Sequence, residues 1–204
     1  AHTAAGFIAP KSGRVIKAYT RHAMIFQDPR LLPWATAAQN IAYPLRIAGI
    51  SRAERRARVA HHADQASLNS DDLLKYPSEL SGGMRQRVAI ARALAFDPDF
   101  IFFDEPFTAL DVALKRRMQD LVMQLCTRTQ MSGLFITHDL LEAARLADRI
   151  VVMESRGQGI VGMRPVPGTR GQRTDAEIFE WVQTVLATDP MFRGIHDVDE
   201  RRMA

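Results

Sequence analysis

The sequence contains one cysteine, few lysines and no long apolar run. Its single cysteine, Cys126, rules out a disulfide framework within the chain and favours a reducing compartment. Only four of its 27 basic residues are lysines, so the net charge of +4 comes mostly from arginine. Such a mild excess selects no partner, and a solvated basic surface explains it better than a dedicated nucleic-acid site. No apolar run approaches the ~20 residues of a membrane-spanning helix, and we expect no secretory signal.

What is present is an alternation of short apolar strands with amphipathic helices, which is typical of an α/β layered domain. The predicted strands are Ala23–Phe26, Phe100–Phe103, Leu134–Thr137 and Ile150–Met153. Between Trp34 and Phe96 the pattern is helical throughout. We therefore predict an α/β core over residues 1–34 and 99–153, an inserted helical subdomain over 35–98, and a connector with a final helix over 154–204.

Local signals predict where some helices start. Ser51 with Glu54, and Thr174 with Glu177, match the capping box, in which a hydroxyl accepts from the first turn and a glutamate reaches back. The adjacent histidines His61 and His62 are predicted to be solvated and to bind no metal, because no second ligand pair lies at a suitable spacing. The glycines and prolines after Met153 predict a flexible connector.

The stretch LSGGMRQRVAIARAL, residues 80–94, predicts a helix with an open N-terminus. Ser81 is a natural N-cap, and Gly82 and Gly83 leave backbone N–H groups accessible to close approach. A helix N-terminus with bare amides and a hydroxyl can bind an anion. Taken alone, however, the stretch is better explained as an ordinary capped helix after a glycine turn.

Polar side chains follow three of the predicted strands, at the strand ends where ligands bind in open α/β sheets. Asp104 could hold a hard cation such as Mg²⁺, and Glu105 could deprotonate a water aimed at a γ-phosphate. An Asp-Glu pair after a strand is nevertheless often only a turn. The amide of Gln27 could touch both metal and water. His138 should emerge at the same sheet edge as Asp104, although a lone histidine there is more often structural than catalytic.

Together these motifs resemble the ATPase subunits of ATP-binding cassette (ABC) transporters. In family order they are the Q-loop (Phe26–Pro29), the signature (Leu80–Arg87), the Walker B motif (Phe100–Glu105), the D-loop (Ala109–Asp111) and the switch histidine (Thr137–Asp139). Each motif is weak singly, but five in order are very specific. The resemblance covers roughly residues 6–153 and implies a P-loop NTPase-type (RecA-like) core, incomplete in this chain, with an inserted helical subdomain.

The resemblance also implies a role for each site residue, with ATP and Mg²⁺ as cofactors. Asp104 would hold Mg²⁺, with Gln27 as a further metal contact. Glu105 would be the general base, and His138 and Gln27 would sense the γ-phosphate. The nucleotide contacts made in trans, on the ATP of a partner subunit, would come from the signature and the D-loop: Ser81, Gly82, Gly83, Gln86 and Asp111.

The same resemblance implies partners and a location. Two ATPase subunits would form a head-to-tail dimer, and their closing and opening would drive a membrane permease through a groove near Gln27. A solute-binding protein would take part indirectly, and no nucleic acid is expected. The chain would then lie at the cytoplasmic face of the inner membrane, held there by the permease.

The phosphate loop that such an ATPase needs is missing. That loop reads Gly-x-x-x-x-Gly-Lys-Ser/Thr, and the 204 residues contain no Gly-Lys dipeptide. Residues 5–13 resemble the end of the helix that follows the loop, together with its exit turn. We therefore expect an N-terminally truncated fragment of a transporter ATPase that cannot hydrolyse ATP by itself.

Three functions stay open from the residues. The first is an energy-coupling subunit of an ABC importer, for which residues 26–34, FQDPRLLPW, resemble the nitrate, sulfonate and taurine group. The second is a non-catalytic partner that presents its signature to an intact subunit. The third, a DNA-repair-type ABC ATPase, is disfavoured because the segment between Gln27 and Ser81 is short and has no sustained heptads.

The missing loop generates a prediction about association. In the family the strand feeding that loop lies inside the sheet, so its loss would expose strand edges that can pair with other copies. We expect the chain alone to be poorly stable or to associate, measured by analytical ultracentrifugation and thermal unfolding. A sharp, reversible melting transition of a monomer would count against this expectation.

Overall fold

The computed structural model describes residues 2–154 and 159–192 and divides into two compact units, Ala1–Ile136 and Thr137–Ala204. The helices are α1 (His2–Ala5), α2 (Ala37–Ile47), α3 (Arg52–Gln65), α4 (Ser70–Leu74), α5 (Gly82–Ala95), α6 (Val112–Thr129), α7 (Leu140–Leu146) and α8 (Asp175–Thr188). The strands are β1 (His22–Ile25), β2 (Phe100–Asp104), β3 (Ser132–Ile136), β4 (Arg149–Met153) and β5 (Ile160–Pro165). Short 3₁₀ turns lie at Pro77–Glu79 and Pro190–Phe192. The predicted domain boundaries are not decided by this division and stay predictions.

The first unit contains a parallel sheet of three strands in the order β1-β2-β3. Ile25 pairs with Phe103, and Phe103 pairs with Phe135. The middle strand is buried at Ile101, Phe102 and Phe103, as expected of a parallel strand covered on both faces. Among the described residues, the outer edges of β1 and β3 have no strand partner.

One glycine in this sheet is required by close packing. A Cβ at Gly133 in β3 would lie 3.1 Å from the Phe103 ring and 3.2 Å from the carbonyl oxygen of Ile101. Neither neighbour is free to move, because both belong to the buried middle strand. Glycine therefore allows β3 to approach β2 at this position.

The residues between β1 and β2 form the helical part of the first unit. Helices α2, α3 and α5 share an apolar cluster that includes Ile41 and Leu45 of α2, Val59 and Ala63 of α3, and Val88 of α5. Ser81 caps α5, as predicted, by accepting a hydrogen bond from the Met84 N–H. The residues between β1 and β2 therefore contain helices and turns that pack around one apolar cluster.

The second unit contains the antiparallel pair β4–β5 and the helices α7 and α8. Its apolar cluster is formed by residues of α7, β4 and α8, by Val166 directly after β5, and by the last turn: Ala144, Ile150, Val166, Ile178, Val182, Met191 and Phe192. Thr174 and Glu177 form the predicted capping box of α8. No helix in the described part of the chain is both long enough and apolar enough to cross a bilayer.

Part of the segment predicted to be a flexible connector forms a strand. Residues 160–165 form β5 and pair with β4, while residues 155–158 and 193–204 of the predicted connector and tail lie outside the described residues. Gly162 suggested a linker, but it pairs with Val152 at a point where a Cβ would meet the Met191 sulfur at 2.7 Å. The glycine marks close packing instead of flexibility.

Two local predictions on α3 also need correction. Ser51 caps the helix by accepting from the Glu54 N–H, but the Glu54 carboxylate bonds the Arg58 guanidinium instead of reaching back. His62 is buried, at 7% exposure, and its Nδ1 lies 3.1 Å from Oε1 of Gln65. Only His61 is exposed as predicted. The helical pattern alone does not show which of two adjacent histidines faces the other helices.

The buried Asn40 of α2 predicts a large loss of stability on truncation. Its Oδ1 accepts from the Leu32 N–H, and its Nδ2 donates to the carbonyls of Leu32, Ala35 and Thr36. We expect Asn40→Ala to lower the free energy of unfolding by about 2–3 kcal/mol, because it leaves buried backbone groups unsatisfied. The matched control on the same helix is Gln39→Ala, which loses one exposed capping bond and should cost at most ~1 kcal/mol in urea unfolding. Equal losses for the two variants would contradict the assignment.

His62 predicts a pH dependence of stability. Burial lowers the pKa of its imidazole below the ordinary 6.5, because desolvation disfavours the charged form. Below pH 6.5 the unfolded chain therefore binds the proton more readily than the folded chain, and the free energy of unfolding falls as the pH is lowered. The slope from this one group is at most about 1.4 kcal/mol per pH unit.

Urea unfolding between pH 7.5 and pH 5 would measure this slope. We expect His62→Gln to flatten it, while His61→Gln, at the exposed neighbour, should retain it. If the wild type and both variants lose stability in parallel, His62 is not the group responsible.

Candidate functional site

Three of the predicted site residues, Gln27, Asp104 and Glu105, lie at the carboxyl ends of β1 and β2. The pairing of Ile25 with Phe103 brings the residues just beyond both strands side by side. As a result Nε2 of Gln27 lies 3.4 Å from Oε2 of Glu105, although the two residues are far apart in sequence. An amide and a carboxylate within reach of each other can together hold a water molecule.

Glu105 has an unusual backbone conformation. Its φ is +46°, which lies in the left-handed region that residues with a side chain rarely adopt. Its N–H donates to the Ile136 carbonyl, and its own carbonyl accepts from the Thr108 hydroxyl. These bonds hold the chain in the strained turn, which directs it away from the sheet directly after Asp104.

Asp104 ends β2 with a partly exposed side chain, 25% accessible. The Nε2 of His2 lies 3.9 Å from its Oδ2, and the His2 ring stacks on Phe26 with a centroid distance of 6.0 Å. Within the described residues no three His, Cys, Asp or Glu side chains cluster as a complete metal site. A single carboxylate suits Mg²⁺, which keeps several waters and takes its other ligands from phosphate.

The signature residues lie at the start of α5. Ser81 is exposed, and Gly82 and Gly83 form the first turn of this 14-residue helix. A Cβ at Gly83 would lie 3.4 Å from the carbonyl oxygen of Ala109. The signature and the D-loop are therefore neighbours within one unit, and the open helix end can bind an anion.

Gln86 and Asp111 have local structural roles in this structure. Gln86 is only 1% exposed, and its Nε2 donates to the Phe26 carbonyl over 3.1 Å. Asp111 caps α6 by accepting from the Leu114 N–H. The predicted nucleotide contacts of both residues stay predictions. The buried Gln86 would influence the nucleotide indirectly, through its hydrogen bond to the Phe26 backbone.

His138 lies in the second unit, in the exposed connection between β3 and α7. The next residue, Asp139, caps α7 by accepting from the Glu142 N–H. The position of His138 at the same edge as Asp104 stays a prediction.

A groove of about 400 Å³ opens on the helical part of the first unit. Its lining includes Leu32 and Trp34 from the segment after β1, Tyr43 and Arg46 of α2, and Arg55 of α3. Trp34 is 74% exposed, and the Arg46 guanidinium lies 5.5 Å from the centroid of the Tyr43 ring. All the residues that line this groove lie within 32–55. The groove for the permease was expected near Gln27, and that expectation stays a prediction.

Sequence reasoning missed two residues that hold this site together. Asn40 fixes the segment after β1 to α2, and Arg92 of α5 binds two carbonyls of the same segment. A polar residue in the apolar stripe of α2 was a usable signal for Asn40. Arg92 carried no such signal. Its partners are backbone carbonyl groups, which every residue has, so no residue type in the sequence marks this contact.

Comparison with known proteins places this geometry in a family. The family described as ABC transporter matches residues 4–108. The chain is 42% identical over 160 residues to a nitrate import ATP-binding protein of Synechocystis, covering 74% of this chain and 59% of that protein. It is also 42% identical over 173 residues to a taurine import ATP-binding protein of Pseudomonas aeruginosa, covering 81% of this chain and 65% of that protein.

A solved structure agrees with these relatives. The dimeric ATP-binding cassette MJ0796, in a post-hydrolysis state bound to ADP and Pi, is 32% identical with a TM-score of 0.67. The match covers 73% of this chain and 64% of that one. The predicted P-loop NTPase-type fold is thereby confirmed. The chain spans 59–65% of the length of the nitrate and taurine relatives.

Proposed function

Since the chain belongs to the ABC transporter family, we propose that it is an ATP-binding, energy-coupling subunit of an importer, acting at the cytoplasmic face of the inner membrane. The observation that carries this proposal is the juxtaposition of Gln27 and Glu105, over 3.4 Å, beside Asp104 at the ends of two paired strands. Hydrolysis of a γ-phosphate requires a carboxylate that holds a metal, a carboxylate that activates a water, and an amide that contacts both.

Asp104 would hold Mg²⁺, with the Gln27 amide as a further contact. When bound, the cation supplies the positive charge that offsets the charge of the phosphates. Glu105 would orient a water and accept its proton, and its contact with Gln27 keeps both groups directed at one point. His138 would donate a hydrogen bond to the γ-phosphate.

The signature would act on the nucleotide of a second ATPase subunit in a head-to-tail dimer. The Ser81 hydroxyl and the amides of Gly82 and Gly83 lie at the positive end of the α5 dipole, which favours the phosphates. Asp111 and Gln86 would support this contact from the D-loop and from beneath the Q-loop. The packing of Gly83 against Ala109 would make the signature and the D-loop approach the partner together.

The groove beside Trp34 is the proposed docking surface for the permease. It combines exposed aromatic surface with the guanidinium groups of Arg46 and Arg55. Aromatic and arginine side chains carry much of the energy in protein interfaces. A solute-binding protein would deliver the solute to the permease and would not touch this chain.

The proposed solute is a small anion such as nitrate, a sulfonate or taurine. Residues 26–34 and the names of two relatives support it. A glycine betaine/proline betaine transport protein of Escherichia coli is also 44% identical, but it covers only 65% of this chain. Transport by a complete importer of a non-anionic solute alone would contradict this class.

A second candidate function is that of a signature donor without hydrolysis in its own site. The 204 residues contain no Gly-Lys dipeptide, so the amide cradle and the lysine for the β- and γ-phosphates are missing. We therefore propose that the chain by itself neither binds Mg-ATP tightly nor hydrolyses it. Ser81, Gly82 and Gly83 would still be available to the nucleotide of an intact subunit.

Calorimetry and a mixing experiment test these two proposals together. We expect no heat of Mg-ATP binding to the purified chain, and a change in the ATPase rate of an intact nitrate- or taurine-type subunit when the chain is added. Ser81→Ala should abolish that change. The matched control is Ser51→Ala, which removes an equivalent N-cap hydroxyl from α3 at a similar cost of ~1 kcal/mol.

Each outcome decides one proposal. Clear Mg-ATP binding by the chain alone would show that another segment cradles the phosphates. If the chain leaves the rate of the intact subunit unchanged, the role of signature donor fails. If Ser51→Ala abolishes the change as Ser81→Ala does, the effect comes from helix stability and not from the signature.

A further inference from the structure

The segment that follows β1 is hydrogen-bonded to two side chains of α5. Gln86 donates from Nε2 to the Phe26 carbonyl, and Arg92, six residues later on the helix, donates to the next part of the segment. The Arg92 guanidinium binds the Pro29 carbonyl over 2.8 Å and the Arg30 carbonyl over 2.9 Å. The helix that begins with the signature therefore also fixes the residues on either side of Gln27.

Arg92 is an unusual choice for a structural contact. Burial lowers the pKa of its guanidinium, and no carboxylate in residues 2–154 or 159–192 pairs with it. The two carbonyls are its hydrogen-bond partners, so the cost of desolvating the charge is offset by these bonds alone. A rigid fork of donors can reach two consecutive carbonyls at once, which the single ammonium of a lysine does less well.

The backbone that Arg92 binds is strained. Arg30 has a φ of +46°, in the left-handed region, and its own guanidinium lies 4.2 Å from the centroid of the Phe26 ring. A residue with a Cβ is sterically disfavoured in this region and persists there only when its surroundings hold it. The Arg92 fork and the stacking on Phe26 are the contacts that hold it.

The end of the segment next to the groove is also fixed by hydrogen bonds. The side chain of Asn40 binds both the N–H and the carbonyl of Leu32. Leu32 and Trp34 then form one wall of the groove. The segment therefore runs from Gln27, beside Glu105, to Trp34 in the groove, and it is fixed between these ends by Arg92 and Asn40.

We propose that Arg92 is a positioning residue that couples the two ends of this segment, so that the position of the Gln27 side chain and that of Trp34 depend on one guanidinium. This inference rests on the proposed function in one respect. The roles of the two ends, Gln27 as nucleotide sensor and Trp34 as permease contact, are taken from it. A change at the groove would reach Gln27 through this fork, and a change at Gln27 would reach the groove by the same path.

The test compares Arg92→Lys with Arg87→Lys in the full chain. Both arginines lie on α5 and donate to a backbone carbonyl, but Arg87 binds that of Ser67, away from the segment. We expect Arg92→Lys to shift the NMR signals of the Gln27 side-chain amide and the Trp34 indole together. Amide hydrogen exchange over residues 27–32 should rise at least tenfold. Arg87→Lys should change neither signal, and the second tryptophan, Trp181, serves as an internal reference.

Several results would overturn the proposal. One is a shift at only one end of the segment; another is equal shifts with Arg92→Lys and Arg87→Lys, which would indicate a general loss of stability. If Arg92→Lys does not fold, the NMR signals of the Arg92 guanidinium in the wild type test the proposal instead. Rotation about its Nε–Cζ bond should be hindered by the two hydrogen bonds, and free rotation would contradict the proposal. No ATP, partner subunit or permease is used, so failure of the proposed function and failure of this coupling remain distinguishable.

Discussion

The pairing of β1 with β2 is the constraint on which the candidate site depends. Ile25 lies opposite Phe103, so both strands end at the same level, and the next polar residues of each are brought side by side. The burial of Ile101, Phe102 and Phe103 makes this register costly to shift, because a slip by one residue would turn the apolar side chains to the opposite face. Gln27 and Glu105 therefore meet because of a hydrophobic strand and not because of their own attraction.

The helical part adds a second constraint through α5. This helix begins at the signature, passes beneath the segment after β1 and contributes Val88 and Ala91 to the apolar cluster of the helices. One rigid element thus connects the signature, the Q-loop and the helices of the first unit. A helix is suited to this task because its side chains at Gln86 and Arg92 keep a fixed separation along the axis.

The motifs were predictable from sequence because they carry local chemistry. Ser81 and Thr174 are caps whose partners lie three residues away, so both were identified correctly without tertiary information. The predictions failed where distant packing decides. β5 was missed because Gly162 packs against Met191. His62 was predicted to be solvated, but it is buried in the folded chain. The Glu54 carboxylate bonds Arg58, which is also paired with Asp97.

The order and spacing of five motifs, the alternation of strands and helices, and the absence of a Gly-Lys pair can be read from the residues alone. These are properties of neighbouring residues, and they require no knowledge of the fold. Three contacts appear only in the folded chain: Gln27 reaches Glu105, the buried Gln86 binds the Phe26 carbonyl, and Arg92 binds two carbonyls. Contacts of this kind join residues dozens of positions apart, and they exist only once burial of the apolar strands and helices has fixed the backbone.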